Sequence, residues 1–300
     1  MMKLEEKFLR GSYPPVVTPF RAGGQVDFDK YAELVERQAR EGSHGILVTG
    51  TTAEPSSLTL DERAELVKVA VETIAGRIPV VAATGSQSFA ETIELTSRAE
   101  EAGADALLVV TPYYIKPPQS GLVEYFVEVG RRTDLPLLIY HIPGRAAVSV
   151  QPATVVRINE RLPNLVGVKH AVNDLEFLTE VLARLGMDFR IFCGLEALSL
   201  PMLAVGASGL MNAVGNLAPA RVAAMCEAVE RGDLTEARKL HFELFELNQA
   251  IFLDTNPIPL KYMMKRLGLL ETSDVRLPLI PLDEERGRKL DEVLRRAGLL

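Results

Sequence analysis

Residues 79–114 read PVVAATGSQSFAETIELTSRAEEAGADALLVVTPYY. Two short apolar runs, at 79–85 and 106–114, enclose an amphipathic stretch at 89–103. The runs have the length and aliphatic content of strands that are covered on both faces, and the stretch between them has helical periodicity. The segment therefore predicts a strand–helix–strand unit with parallel strands.

The same alternation extends in both directions along the chain. Further apolar runs of this kind are found at 13–20, 45–50, 136–143, 165–171, 190–195 and 209–215. Further amphipathic stretches are found at 28–42, 61–76 and 121–132. Eight strand candidates, mostly alternating with helices, predict an α/β fold of the (β/α)8 TIM barrel type. An open doubly wound sheet is the alternative, and the absence of a GxGxxG turn at the first helix favours the barrel.

The pattern changes after the eighth apolar run. Residues 219–300 have helical periodicity and contain no further strand candidate. The proline-rich stretches 254–260 and 276–285 predict loops between those helices. We therefore predict a barrel over residues 1–230 and a C-terminal helical domain over residues 231–300.

Composition excludes several classes of protein. The 300 residues are 47% hydrophobic and 24% charged, with a net charge of −7. This composition is typical of a globular protein, and the acidic balance argues against nucleic-acid binding. No apolar run approaches the length of a membrane span, and the start of the chain lacks the apolar core of a signal peptide. We therefore expect a cytoplasmic protein that binds neither nucleic acid nor membrane.

The cysteines and histidines give no metal signature. Cys193 and Cys226 do not form a CxxC pair, and buried thiols are the simpler interpretation. The four histidines form neither HxxxH nor HExxH, although His141 and His170 each follow a residue of interest. Strand alternation predicts that these two side chains point away from the barrel interior. We expect no metal and no cofactor.

Lys169 lies within the apolar run LVGVKHA at 165–171. Alternation places Leu165 and Gly167 on the same face of the strand as Lys169, so that Gly167 would leave space beneath the lysine stem. A lysine in apolar surroundings has a lowered pKa, and its free amine can form a Schiff base with a ketone. The alternative is a lysine that reaches solvent or pairs with an acid.

Polar residues follow several of the predicted strands, at the end of a barrel where active sites lie. Tyr140 and the pair Tyr113–Tyr114 carry phenols that can shuttle protons, although a core aromatic is the alternative for each. Thr51 and Thr52 offer hydroxyl and backbone N–H groups to a small carboxylate.

Arg145 follows a Pro-Gly pair after the fifth predicted strand. A guanidinium at this position suits a two-pronged contact with a carboxylate of the substrate. A solvated surface arginine is the alternative.

Four motifs resemble those of one known family. They are GTT at 50–52, TPYY at 111–114, Y-x-x-P at 140–143 and GVK at 167–169. With them, nearly the whole chain resembles the dihydrodipicolinate synthase / N-acetylneuraminate lyase family of class I pyruvate-dependent aldolases. The resemblance implies a barrel with a C-terminal helical domain, assembled as a homotetramer that is a dimer of dimers.

The resemblance also implies roles for individual residues. Lys169 would form the imine with pyruvate, and Tyr140 would relay protons. Thr51 would link Tyr140 to Tyr114, which would reach in from the neighbouring subunit. Thr51 and Thr52 would hold the pyruvate carboxylate.

The position of Arg145 resembles the synthase branch of the family, in which an arginine binds the carboxylate of aspartate semialdehyde. Gly194 and Met211 complete the substrate-binding set that the resemblance implies. The chain departs from the usual synthase pattern at several positions, and we expect these to line or flank the aldehyde side of the site. The departures are Ala53, His141, residues 170–173, Leu195, Glu196 and Asn212.

The predicted function is therefore a Schiff-base lyase with two small-molecule substrates, pyruvate and an aldehyde, of which aspartate semialdehyde is favoured. One alternative is an aldolase that cleaves a 4-hydroxy-2-oxo acid with a distal carboxylate. Another is a non-catalytic protein that binds 2-oxo acids, although such a protein needs no proton relay.

One set of residues resembles the lysine feedback site of regulated synthases but is less polar than that site. Its residues are Pro55, Ser56, Leu60, Arg63, Gln87, Glu91 and Tyr113. Pro55 and Leu60 stand in place of polar residues, so we expect weak inhibition by lysine or none.

Overall fold

Eight parallel strands form the sheet at the centre of the structure, a computed structural model that describes residues 2–300. The strands are β1 (Gly11–Ser12), β2 (Ile46–Val48), β3 (Val80–Ala83), β4 (Ala106–Val110), β5 (Leu137–His141), β6 (Leu165–His170), β7 (Arg190–Cys193) and β8 (Gly209–Leu210). They are ordered β1-β8-β7-β6-β5-β4-β3-β2, and a parallel bridge between Pro15 and Leu47 joins the two ends of this order. The predicted (β/α)8 barrel is confirmed.

Helices connect the strands on the outside of the barrel. They are α1 (Phe28–Arg40), α2 (Leu60–Ile74), α3 (Phe89–Glu101), α4 (Gln119–Gly130), α5 (Pro143–Ala146), α6 (Pro152–Arg161), α7 (Leu175–Leu185) and α8 (Ser199–Val205). Local sequence explains how several of them begin. Asp27 and Asp174 cap α1 and α7, and Thr59 forms a capping box with Glu62 at the start of α2.

The C-terminal part of the chain is helical, as its periodicity predicts. Its helices are α9 (Pro219–Glu230), α10 (Leu234–Glu243), α11 (Phe245–Ala250), α12 (Ile258–Arg266) and α13 (Glu284–Arg296). The division into domains at residue 230 stays a prediction. None of the helices in residues 2–300 has the length and apolar character needed to cross a bilayer.

The first strand is displaced from the predicted run at 13–20, since β1 lies just before that run. Pro14 and Pro15 follow β1 and have no backbone N–H group to donate to a ladder. Pairing with β2 is limited to two bonds here: the N–H of Leu47 donates to the carbonyl of Pro14 at 3.0 Å, and the N–H of Val16 donates to the carbonyl of Leu47 at 2.9 Å. The prolines therefore limit the strand while the chain continues beside β2.

A register shift in β6 changes which side chains face the interior. Pairing with β5 passes from Leu165 directly to Gly167, which leaves Val166 as an extra residue. Val166 packs in the interior cluster, whereas Leu165 packs with the outer helices. The prediction that Leu165 shares a face with Lys169 is therefore wrong, because strict alternation fails at the bulge.

Side chains fill the barrel interior. The interior cluster includes Leu9, Leu47, Val81, Leu108, Leu138, Tyr140, Val166, Phe192 and Met211. At the amino end of the strands, the guanidinium of Arg190 donates to the carbonyls of Glu5, Glu6 and Phe8. The N-terminal segment thus closes one end of the barrel, and a ligand must approach from the carboxyl end of the strands.

Candidate active site

A cavity of about 610 Å³ opens at the carboxyl end of the barrel. Thr51, which follows β2, and Tyr140, in β5, line its wall together with Arg145 of α5. Residues from the C-terminal part of the chain, among them Asn256 and Arg276, also line the cavity. The cavity lies where the barrel fold predicts an active site.

Lys169 lies beside Tyr140, its partner in the pairing of β5 and β6. Its Nζ atom is 4.5 Å from the centroid of the Tyr140 ring, and the residue is only 4% exposed. Within residues 2–300, no carboxylate forms an ion pair with Lys169, whereas the other buried lysine, Lys261, pairs with Glu54. Within residues 2–300, Lys169 therefore neither reaches solvent nor forms an ion pair.

Gly194 provides the space for the lysine stem. A Cβ atom at Gly194 would lie 3.0 Å from Cε of Lys169. A Cβ atom at Gly167 would instead lie 2.2 Å from the backbone oxygen of Arg190. The glycine that accommodates the lysine therefore follows β7, and the role predicted for Gly167 is wrong because Gly167 faces the backbone of β7.

Hydroxyl groups lie next to this lysine. The hydroxyl groups of Tyr140 and Thr51 are 3.5 Å apart, which is long for a hydrogen bond but typical of a site without substrate. Tyr114 lies elsewhere, on the surface, and is 84% exposed, while Tyr113 lines the cavity. A single chain therefore brings the hydroxyl groups of Tyr140 and Thr51 together, without that of Tyr114.

The other predicted substrate-binding residues occupy different depths. Arg145 is exposed at the edge of the cavity and forms no ion pair within residues 2–300. Thr52 is buried, and its Oγ1 atom accepts a hydrogen bond from Nδ2 of Asn256 at 3.0 Å. Met211 is 1% exposed and packs in the interior cluster with Tyr140, without lining the cavity.

His141 and His170 form a polar pair behind the site. Both are buried and face the helices, as alternation predicts, and the ring of His170 stacks on Phe177 of α7 at 4.4 Å. Their Nδ1 atoms are 3.1 Å apart, and Nε2 of His170 donates to the carbonyl of Asp174. A neutral His170 then accepts at Nδ1 from His141, whose Nε2 atom accepts from Ser149.

Burial keeps both histidines neutral. It lowers the pKa of His141 to about 3 and also lowers the pKa of His170. The pair thus joins the strands that carry Tyr140 and Lys169 through neutral hydrogen bonds.

Glu196 and Asn212 also lie in the barrel wall, 3% and 2% exposed. Oε1 of Glu196 accepts from the N–H of Ala213 at 2.7 Å, and burial raises the pKa of this carboxyl to about 7. The bond helps to turn the chain into a 3-10 helix at Ala213–Asn216, so β8 is shorter than the predicted run at 209–215. None of the departures from the usual synthase pattern lines the cavity itself, but Ala53 and His141 flank residues that do. Their effect on the aldehyde side stays a prediction.

No cluster of three or more His, Cys, Asp or Glu side chains in residues 2–300 is arranged to hold a metal ion. The polar groups around the cavity are hydroxyls, amides and cations, with Glu54 and Glu91 as its carboxylates. Donors of this kind suit a substrate that carries carboxylates.

The sequence profile of the dihydrodipicolinate synthetase family matches residues 8–297, nearly the whole chain. The chain belongs to this family. It is 49% identical over 292 residues to a 4-hydroxy-tetrahydrodipicolinate synthase of Thermus thermophilus, a match that covers 97% of each protein. The resemblance inferred from the sequence motifs is therefore confirmed.

Solved structures of the family share the fold. The dihydrodipicolinate synthase of Aquifex aeolicus matches with a TM-score of 0.94 and 38% identity, over 97% of this chain and 98% of that one. A chloride-inhibited dihydrodipicolinate synthase of Acinetobacter baumannii, complexed with pyruvate, has a TM-score of 0.94 and 34% identity. That match covers 97% of this chain and 100% of the other.

Sequence reasoning missed the contribution of the C-terminal segment to the site. The stretch at 254–260 reads as a proline-rich loop, yet Asn256 within it contacts Thr52. Lys261, which directly follows the stretch, contacts Glu54. The polar Asn256 between a threonine and a proline is a weak signal. No local pattern could have assigned its partner, which lies 204 residues away.

Proposed function

We propose that this enzyme is a 4-hydroxy-tetrahydrodipicolinate synthase that condenses pyruvate with aspartate semialdehyde through an imine on Lys169. The observation that carries the proposal is a buried, unpaired lysine packed against a tyrosine at the cavity end of the barrel, within residues 2–300. The name of the Thermus relative supports the reaction, and the pyruvate held by the Acinetobacter relative supports the first substrate.

The first step forms the imine. Nζ of Lys169 attacks C2 of pyruvate, and the resulting carbinolamine loses its oxygen as water. Tyr140 is placed to deliver a proton to that oxygen, since its ring packs against Nζ and its hydroxyl lies near Thr51. The pyruvate carboxylate accepts hydrogen bonds from the hydroxyl and N–H groups of residues 51 and 52.

The second step makes the carbon–carbon bond. Loss of a proton from C3 of the imine gives an enamine, which attacks the aldehyde carbon, and the aldehyde oxygen takes up a proton. Arg145, which has no ion-pair partner in residues 2–300, binds the carboxylate of the aldehyde at the cavity edge. The amine of aspartate semialdehyde then displaces Lys169 from the imine carbon, which closes the six-membered ring and restores the free lysine.

We extend the proposal to a cytoplasmic homotetramer built as a dimer of dimers. The support is the position of Tyr114 and Ile115, which are 84% and 63% exposed in the loop that follows β4. A neighbouring subunit that covers these residues would bring its own Tyr114 to the Thr51 hydroxyl and complete the proton relay. Burial of two such side chains would also favour association.

The reaction can be tested directly by substrate choice. Pyruvate consumption should be fast with aspartate semialdehyde, and a panel of 4-hydroxy-2-oxo acids should release little pyruvate. Cleavage of such an acid at a higher kcat/KM than the condensation would instead favour the aldolase alternative. Binding of pyruvate without turnover of any aldehyde would favour a non-catalytic protein.

Replacing Arg145 with alanine should lower kcat/KM for aspartate semialdehyde by about 10- to 100-fold, because a charge-assisted contact contributes about 1.5–3 kcal/mol. Trapping of pyruvate by borohydride should remain intact. Arg145→Lys should be intermediate, since an ammonium keeps the charge and loses the fork. Arg132→Ala, at an exposed arginine away from the cavity, is the control. Equal loss of pyruvate trapping in Arg145→Ala would contradict the assignment.

Lysine should inhibit the enzyme weakly or not at all. Arg63 is 5% exposed and lines the cavity, with its guanidinium 3.7 Å from Glu91, so it already engages the carboxylate that would attract an ammonium group. A second cation beside a buried arginine is disfavoured. Initial rates at subsaturating pyruvate should change less than about twofold at roughly 1 mM lysine, the concentration scale of a weak site. Half-maximal inhibition at micromolar lysine would contradict this expectation.

A further inference from the structure

Two buried contacts tie the C-terminal segment to residues 51–54, which we call the 51–54 turn. Nδ2 of Asn256 donates to Oγ1 of Thr52 at 3.0 Å, and Nζ of Lys261 donates to Oε1 of Glu54 at 2.5 Å. All four residues are at least nine-tenths buried. The turn that is proposed to hold the pyruvate carboxylate therefore rests on groups more than 200 residues away in the chain.

The direction of the first bond determines what Thr52 can offer to a ligand. A hydroxyl has one proton to donate and two lone pairs that accept. The amide of Asn256 donates to one lone pair of the Thr52 hydroxyl oxygen. Within residues 2–300 that hydroxyl donates its own proton to no acceptor. Its proton is therefore available to a carboxylate, which can only accept.

The second contact holds the backbone of the turn. Glu54 has a φ of +58°, in the left-handed region that a residue with a side chain adopts at an energetic cost. Its carboxylate accepts from Lys261 on one oxygen and from the N–H of Arg276 on the other. These two partners keep the strained residue in place between two 3-10 turns, at Thr51–Ala53 and Pro55–Ser57.

We infer that Asn256 is a positioning residue for the pyruvate site: its amide donates to Thr52 and so leaves the Thr52 hydroxyl proton for the substrate carboxylate. This inference rests on the proposed function, since it needs pyruvate to bind at the 51–54 turn. Asn256 also lines the cavity, and its buried Oδ1 atom has no hydrogen-bond partner in residues 2–300. Asn256 therefore faces the site, and its only side-chain hydrogen bond in residues 2–300 is the one to Thr52.

The test replaces the donor with an acceptor of the same shape. In Asn256→Asp the carboxylate cannot donate and takes the Thr52 proton instead, so the half-saturating pyruvate concentration for borohydride trapping should rise about 10- to 100-fold. KM for the aldehyde should change less than about twofold, on the same scale. Asn248→Asp is the matched control, because Asn248 is equally buried in α11 and does not line the cavity.

A double variant separates an action through Thr52 from a direct effect of the new charge. If Asn256 acts through Thr52, Asn256→Asp should add little to Thr52→Val, whereas independent effects would multiply. If the Asp variant does not fold, the uncharged Asn256→Ser, too short to reach Thr52, should still raise the half-saturating concentration several-fold.

Three outcomes decide the inference. A raised pyruvate requirement that vanishes in the Thr52→Val background supports it. Wild-type half-saturation in a folded Asn256 variant, with pyruvate still trapped on Lys169, overturns it and leaves the proposed function intact. Failure of the unmodified protein to trap pyruvate overturns both.

Discussion

Replacing Lys169 with alanine is expected to abolish the borohydride-trapped pyruvate adduct and to lower turnover by at least about 10⁴-fold, the scale at which loss of a covalent nucleophile acts. The reason is that only this lysine is buried beside the cavity without a carboxylate partner in residues 2–300. Intact-mass measurement after treatment with pyruvate and borohydride reads the adduct directly, and a rate assay with the aldehyde reads turnover.

The control for this experiment is an exposed lysine. Lys239 in α10 has a side chain that is 62% exposed, so Lys239→Ala should keep the full adduct and full turnover. Peptide mapping of the wild-type adduct should place the added mass on the fragment that contains Lys169. An adduct that survives Lys169→Ala at the wild-type yield would remove the imine mechanism.

Replacing Tyr140 with phenylalanine is expected to lower kcat by about 10²- to 10⁴-fold, the range over which a general acid–base group contributes. Phenylalanine keeps the ring that packs 4.5 Å from Nζ of Lys169, so the lysine environment is conserved and only the hydroxyl is lost. Exchange of the pyruvate methyl protons in D₂O, followed by NMR, should slow by a similar factor. The trapped adduct should still reach its full yield after long incubation.

Tyr125 offers a matched control. Its hydroxyl lies 3.0 Å from that of Thr92, so Tyr125→Phe also breaks a tyrosine–threonine contact but away from the cavity. This variant should retain the wild-type rate of methyl exchange. Wild-type exchange in Tyr140→Phe would show that another group carries the proton.

The repeating pattern of the chain was enough to predict the barrel, because apolar runs, side-chain alternation in strands and period-3.6 burial in helices are local properties of the sequence. The same rule placed Lys169 in a strand and Thr51 and Tyr140 at strand ends. It failed for Leu165, because a bulge cannot be read from alternation. It also failed for β1, where the two prolines that follow lack the N–H groups of a ladder.

Residue types and their order along the chain were therefore sufficient to predict the fold, the family and the place of Lys169 in a buried strand. Packing assigned the neighbours: Gly194 rather than Gly167 accommodates the lysine stem, and Asn256 reaches Thr52 across 204 residues. Such contacts depend on how two distant segments pack in space, and local backbone preferences do not predict that packing. The place of Lys169 in a buried strand could be predicted from that strand alone, whereas the contacts that support the 51–54 turn exist only once the C-terminal segment has packed against it.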